Sequence, residues 1–253
     1  MMAAANNSHF HPLGAALIDK ITSQALTTFA GVVEQDLLAL FTEADAEFVS
    51  KSAAAKTNQE RGDAEGANRA TKAFYANEIL KLLLEKRTGK TIGARGKRSG
   101  LAFAKHDVDL VHPEKGDRPF AVGEVKIAGT PAHSGNQQTS KTKGRELCKD
   151  LDKRAKEIVC ASIDLKRKWR TGAPAHIPDG VFYVTFYFGR AADARDAEHA
   201  REKLLAIEEL GGYVDSVGLF FYENGSNDAY VAVPGSAGHT MDDALAAFAK
   251  HVI

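Results

Sequence analysis

Cysteine is nearly missing from this chain: 253 residues hold two, Cys148 and Cys160. Two thiols with no C-x-x-C spacing exclude a disulfide framework and a zinc ribbon. No apolar run approaches the roughly 18 residues of a membrane-spanning helix. The opening residues, MMAAANNSHFHPLG, lack the basic and apolar regions of a secretory signal. A cytoplasmic protein without membrane contact is the expectation. Hydrophobic residues at 44% and charged residues at 26% are ordinary for a folded globular chain. The length allows one large domain or two small ones.

Net charge is also missing, since 33 basic residues meet 33 acidic ones. The distribution is uneven, however. Residues 1–80 carry 6 Lys/Arg and 10 Asp/Glu, a net of −4; residues 81–170 carry 22 and 11, a net of +11; residues 171–253 carry 5 and 12, a net of −7. A basic segment between acidic flanks points to a polyanionic partner, with solvated helix faces as the bland alternative.

Period-3.6 patterns predict two helices between residues 13 and 49, where Leu37, Leu38, Phe41 and Phe48 recur. A third is predicted over about 69–87, where Ala76, Ile79, Leu80, Leu83 and Leu84 form a stripe and Gly89 is a C-cap candidate. Between them, residues 51–68 (KSAAAKTNQERGDAEGAN) read as flexible. The period then changes: HDVDLV (106–111) and FAVGEVKI (120–127) alternate around a Gly/Pro turn and predict an antiparallel hairpin. A polar loop follows over 129–143, then a helix over about 144–169, a strand at VFYVTFYFG (181–189), a helix near 198–210, strands at 217–222 and 230–233, and a last helix over 241–252. Helices flanking a mixed β-sheet make an α/β fold. The expected organisation is a helical N-terminal extension (1–68) before one α/β domain (69–253).

Several familiar motifs fail. Gly89-Lys90-Thr91 imitates the end of a phosphate-binding loop, but Leu84 stands where its first glycine belongs and no strand precedes it. There is no H-E-x-x-H and no G-x-S-x-G.

The hairpin carries the chemistry. With symmetry about Gly116/Asp117, facing residues have numbers summing to 233, so Asp109 faces Glu124 and Asp107 faces Lys126. All four then lie on one face, with Val108, Leu110, Val125 and Ile127 on the other. Two opposed carboxylates repel at roughly 4.5–5.5 Å between Cβ atoms. A hard divalent cation such as Mg²⁺, held by one or two carboxylates plus phosphate oxygens, relieves that repulsion. Lys126 puts a positive charge beside the ion, either for a phosphorane-like transition state or to help deprotonate the attacking water. The competing explanation is a solvated charged face whose lysine pairs with an aspartate.

The order of these pieces resembles the PD-(D/E)xK superfamily of Mg²⁺-dependent nucleases: Asn77-Glu78-Ile79-Leu80 on a helix, Asp107-Val108-Asp109-Leu110-Val111 on a strand, Val122-Gly123-Glu124-Val125-Lys126-Ile127 on the next, then a long helix and a strand. The resemblance covers about residues 70–190. It implies a restriction-endonuclease-like core in which Asp109, Glu124 and the Val125 carbonyl hold Mg²⁺, for which Mn²⁺ can substitute. It makes Lys126 the catalytic lysine and Glu78 the helix glutamate that reaches the metal, with an ordinary surface acid as its alternative. Asp107 is either a second acid behind the ligands or the ligand itself if the register slips by two. The proline usual before the aspartate is absent, since Lys105-His106 precede Asp107.

Gln137, Gln138, Lys141, Lys143 and Arg145 follow the catalytic strand and suit base and phosphate contacts; Arg95, Lys97 and Arg98, with Lys86, Arg87 and Lys90, form a rival patch. A lone domain of this size resembles type II restriction endonucleases, which implies sequence-specific cleavage of double-stranded DNA by a homodimer. A structure-specific repair or recombination nuclease like the Holliday-junction resolvases and a non-catalytic nucleic-acid-binding module remain the alternatives.

Overall fold

The computed structural model describes residues 10–131, 147, 151–209, 211–225 and 229–252. Three helices come first: α1 (Pro12–Gln24), α2 (Val32–Ala54) and α3 (Asn58–Thr88). Strands β1 (Gly93–Arg98), β2 (His106–His112) and β3 (Ala121–Ala128) follow. Then come α4 (Leu151–Trp169), β4 (Phe182–Arg190), α5 (Ala194–Glu209), β5 (Ser216–Asn224), β6 (Tyr230–Ala232) and α6 (Met241–Ala249). The strands form one six-stranded sheet in sequence order. Pairing is antiparallel from β1 to β3, parallel from β3 to β5, and antiparallel again at β6. Parallel neighbours need a long crossover, and α4 and α5 provide the two. Because the chain steps the same way across the sheet both times, right-handed crossovers put both helices on one face.

Each face therefore has its own core. Leu110, Val125, Val184, Phe186 and Phe188 pack with α1, α2, α3 and α6, while Val122, Tyr183, Tyr187, Leu219 and Phe221 pack with α4 and α5. Coverage on both sides explains why β4 reads as a largely apolar and aromatic run, with Thr185 its one interior polar residue. Near the turn the hairpin register follows the predicted symmetry, Leu110 pairing with Gly123, Val111 with Val122 and His112 with Ala121, but the ladder stops before the expected Asp109–Glu124 and Asp107–Lys126 pairs. Leu110, Val125 and Ile127 share the first core as expected; Val108 is buried but joins the second. At Gly123 the sheet is tightly packed, since a Cβ would lie 3.1 Å from both Leu110 Cβ and Phe186 Cε2 and would need them to give by a few tenths of an ångström.

Two expectations are corrected. Residues 51–68 are helical rather than flexible, apart from a short break at 55–57. Thr57 and Glu60 make a capping box, Thr57 Oγ1 accepting from the Glu60 N–H (3.1 Å) and Glu60 Oε2 from the Thr57 N–H (3.1 Å), which starts α3 eleven residues before the position predicted. The boundary drawn at 68/69 thus falls inside α3, and α1 and α2 share the first core with the sheet. Strand β1 is a second departure: GARGKR has no alternation of apolar residues, and it is held by antiparallel pairing to β2. The helix expected from residue 144 is described from Leu151. No helix among the described residues is long and apolar enough to cross a membrane.

A buried charge ties α2 and α3 to the far edge of the sheet. Asp45 accepts from Lys72 Nζ (2.7 Å), Asn68 Nδ2 (2.8 Å) and the Tyr230 hydroxyl (2.7 Å), and Lys72 is fully buried. Burial pushes the Lys72 ammonium below its usual range, against the opposing pull of Asp45. Asp45→Ala takes the acceptor from the buried Lys72 ammonium and the Tyr230 hydroxyl, leaves Asn68 Nδ2 only the Ala44 carbonyl (2.9 Å), and is expected to cost about 3–5 kcal/mol. Lys72→Met leaves the buried Asp45 carboxylate without its cation but keeps two neutral donors on it, and is expected to cost no more than Asp45→Ala. Urea unfolding of both variants checks the order.

Candidate active site

The site forms where β2 and β3 part. Their backbone ladder ends at Leu110–Gly123, and the next connection is made by a side chain: Asp109 Oδ2 accepts from the Val125 N–H at 2.8 Å. On β3, Glu124 lies buried with both carboxylate oxygens engaged. Lys126 Nζ pairs with Oε1, and the Tyr183 hydroxyl donates to Oε2. Lys126 is also 3.8 Å from Glu157 Oε2 on α4, itself bonded by Arg154 Nη1 at 2.9 Å. Asp109, Glu124, Val125 and Lys126, all read from the hairpin, are thus brought together.

Their electrostatics follow from burial. Desolvation pushes the Asp109 carboxyl above the usual carboxylate range; the Val125 N–H and the cations Lys126 and Arg95 oppose that, and the charge of Glu124 adds to it. The Tyr183 hydroxyl is driven well above its ordinary range, first by burial and then by Glu124 and Asp109, so it acts as a neutral donor.

The other sequence candidates lie around this centre or apart from it. Glu78 on α3 pairs with Arg95. Arg95, one of the residues read as phosphate-binding, stacks its guanidinium 4.6 Å from the Phe74 ring centre and has a left-handed backbone, φ +53°. The β1–β2 register sets it across from Asp109, though the residues on either side of it carry the pairing. Asp107 does not face Lys126: it is exposed (86% of its side chain) and pairs with Lys97 at 2.9 Å, because β2 has β1 as a second neighbour. Arg98 turns inward, donating from Nη2 to the carbonyls of Pro113 (3.0 Å) and Glu114 (2.8 Å). Lys86 and Arg87 reach carbonyls of the α1–α2 region, and Arg87 also pairs with Asp242. Gln137, Gln138, Lys141, Lys143 and Arg145 lie outside the described residues.

Two participants were missed, Tyr183 and Glu157. Tyr183 alternates with Thr185 and Tyr187 in FYVTFYF, but which of its neighbours meets β3 is set by a parallel pairing reached through α4. Glu157 looks like any helix-surface acid in sequence.

Among the described residues no group of three or more His, Cys, Asp or Glu side chains is placed to hold an ion. Asp109 and Glu124 supply two carboxylates. That suffices for Mg²⁺, which keeps several waters and takes the rest of its shell from substrate phosphate. The donor set is all oxygen, and the charge of Glu124 adds to the burial that keeps Asp109 from ionising, a repulsion that a cation would relieve. The residues present fit a hard divalent cation.

A stability test follows. A carboxyl whose pKa is raised in the folded state is penalised when ionised, so its stabilising contribution is present at low pH and lost as pH rises through the raised range. An asparagine in place of Asp109 does not ionise and can still accept from Val125. Asp109→Asn is therefore expected to melt no lower than the wild type at pH 7 in EDTA. It is also expected to lose most of the rise in melting temperature that saturating Mg²⁺ or Mn²⁺ gives the wild type. Thermal melts with and without the ion check both parts.

No protein-family model matches this chain, and no curated protein or solved structure matches it.

Proposed function

We propose that this chain is a Mg²⁺-dependent endonuclease that hydrolyses phosphodiester bonds of duplex DNA, acting as a sequence-specific restriction enzyme of type II. The observation that carries the reading is the convergence of Asp109, Glu124 and Lys126 at the point where β2 and β3 diverge. The order α3, β1, β2, β3, α4, β4, with an antiparallel meander followed by a parallel strand, supports the resemblance to the restriction-endonuclease-like core. A homodimer and a cytoplasmic setting belong to the same reading.

In this reading Asp109 and Glu124, with the Val125 carbonyl, would hold the ion. A bound ion there would supply charge neutralisation at the scissile phosphate and a more acidic water. Lys126 supplies the chain's own positive charge at the phosphate oxygens as the attacking water's oxygen bonds to phosphorus and the bond to the leaving sugar oxygen breaks. Tyr183 fixes Glu124 from below, so the carboxylate need not reorganise as charge develops. Glu157 holds Lys126 from the helix side. The Glu78–Arg95 pair flanks Asp109 and contributes charge rather than ligation.

Incubation of the protein with plasmid and Mg²⁺ is expected to give discrete fragments, and none in excess EDTA. A smear would indicate a nuclease without sequence preference, and cutting confined to branched DNA a structure-specific one. Intact plasmid under every condition would overturn the reading. Glu124→Ala and Lys126→Ala are each expected to lower the cleavage rate by about 10²–10⁴-fold with folding retained. Wild-type cleavage by either variant would remove both residues from the chemistry.

A further inference from the structure

The segment between β1 and β2 is built around one carboxylate. Asp164 on α4 accepts from the Ala102 N–H (2.7 Å), the Phe103 N–H (3.2 Å) and, at 2.7 Å, bonds with His106 Nε2. Its own backbone carbonyl accepts from the Leu101 N–H at 3.3 Å. Gly100 closes the turn by donating to the Phe103 carbonyl (2.9 Å), and a Cβ there would lie 1.8 Å from Asp164 Oδ2, so only glycine lets the loop wrap this tightly. Trp169 Nε1 holds the base of the loop through the Ser99 carbonyl at 3.2 Å.

This pinned loop presents apolar side chains to solvent. Leu101 is 62% and Phe103 53% exposed, the Phe103 ring meeting His106 in a T-shaped contact, 5.6 Å between ring centres. No acidic residue occurs from 96 to 106, and Lys105, together with Arg167 and Lys168 beside Trp169, is exposed. Exposed apolar tips on a segment that carries cations and no carboxylate suit a partner that is anionic outside and apolar inside. Stacked bases behind a phosphate backbone have that character. Two side chains expose roughly a few hundred Å² at most, well below the ~800 Å² per partner of a stable protein interface. That weighs against a second copy of this chain as the occupant.

We infer that the 99–105 loop is a wedge, Leu101 and Phe103 entering between base pairs of duplex DNA while Lys105 and Lys168 meet the flanking phosphates. The inference rests on the nuclease reading and adds how the duplex is gripped. Apolar residues inserted at a base step unstack and kink the helix. His106 begins β2, three residues before Asp109, a separation of about 10 Å along a strand. That is roughly three base steps, so wedge and site engage one duplex. The hydrogen bonds to Asp164 order the loop before DNA arrives, which limits the entropy lost on binding.

The test reads helix unwinding without cleavage. A closed plasmid is relaxed by a metal-independent topoisomerase in excess EDTA while saturated with protein, and its linking number is then measured. Wild-type protein is expected to lower it. The double variant Leu101→Ala/Phe103→Ala, also at saturation, is expected to lose at least about four-fifths of the shift. Both residues are exposed, so its melting temperature should hold; if it does not, Leu101→Gln and Phe103→Gln singly report the same shift. An equal shift from the variant, or no shift from bound wild type, overturns the wedge and leaves the nuclease reading standing if Mg²⁺ still supports cleavage. Failure of the wild type to bind any duplex overturns both. A wild-type dimer that the double variant dissociates in sedimentation would assign the loop to subunit contact and overturn the wedge.

Discussion

Strand β3 has hydrogen-bonding partners of opposite sense on its two sides, antiparallel β2 on one and parallel β4 on the other. Most of what is chemically unusual in the molecule depends on that position. The β4 pairing runs the full length of β3, whereas the β2 ladder stops at Leu110–Gly123. Beyond that point β3 is still held rigidly from one side while its other side opens. Asp109 fills the opening by accepting from Val125, and Glu124 and Lys126 stand at its margin.

Position on β3 also explains how so much charge is kept in a packed sheet. A buried carboxylate is tolerated when its oxygens are satisfied, and Glu124 has Lys126 on one and Tyr183 on the other. Asp109 has one backbone donor at Oδ2 and the fields of Lys126 and Arg95. The contrast with Asp45 is instructive. Asp45 is surrounded by three donors inside the protein and bridges α2, α3 and β6. That arrangement is structural, whereas Asp109 and Glu124 carry a mutual repulsion that an added cation or proton would relieve.

The loop from 99 to 105 and the break between β2 and β3 flank the first half of β2, and α4 supports both. Its Glu157 reaches Lys126, and seven residues later Asp164 gathers the loop's N–H groups. Two turns of one helix therefore set both a charged centre and an apolar tip. A crossover helix is suited to this, because parallel pairing of β3 and β4 fixes where it lies.

Local pattern was enough for much of this. The stripe from Ala76 to Leu84, the alternation in HDVDLV and FAVGEVKI, and the turn between them determined α3, β2 and β3, and the symmetry of the turn determined their register. Asp109, Glu124 and Lys126 could be grouped on that basis because a hairpin's register depends on nearby residues. The α3 start at Thr57 was legible too, in a T-x-x-E signature, but the alanines and glycines around it hid the helix. Tertiary structure alone decided the rest. Strand β1 exists because β2 offers an edge, and it takes Asp107 away from the centre through Lys97. Tyr183 comes under Glu124, and Asp164 under the 99–105 loop, through contacts 59 and 58–62 residues apart. Separations of that size leave no periodic trace in sequence, since they depend on how a crossover helix packs and on which strand the returning chain meets.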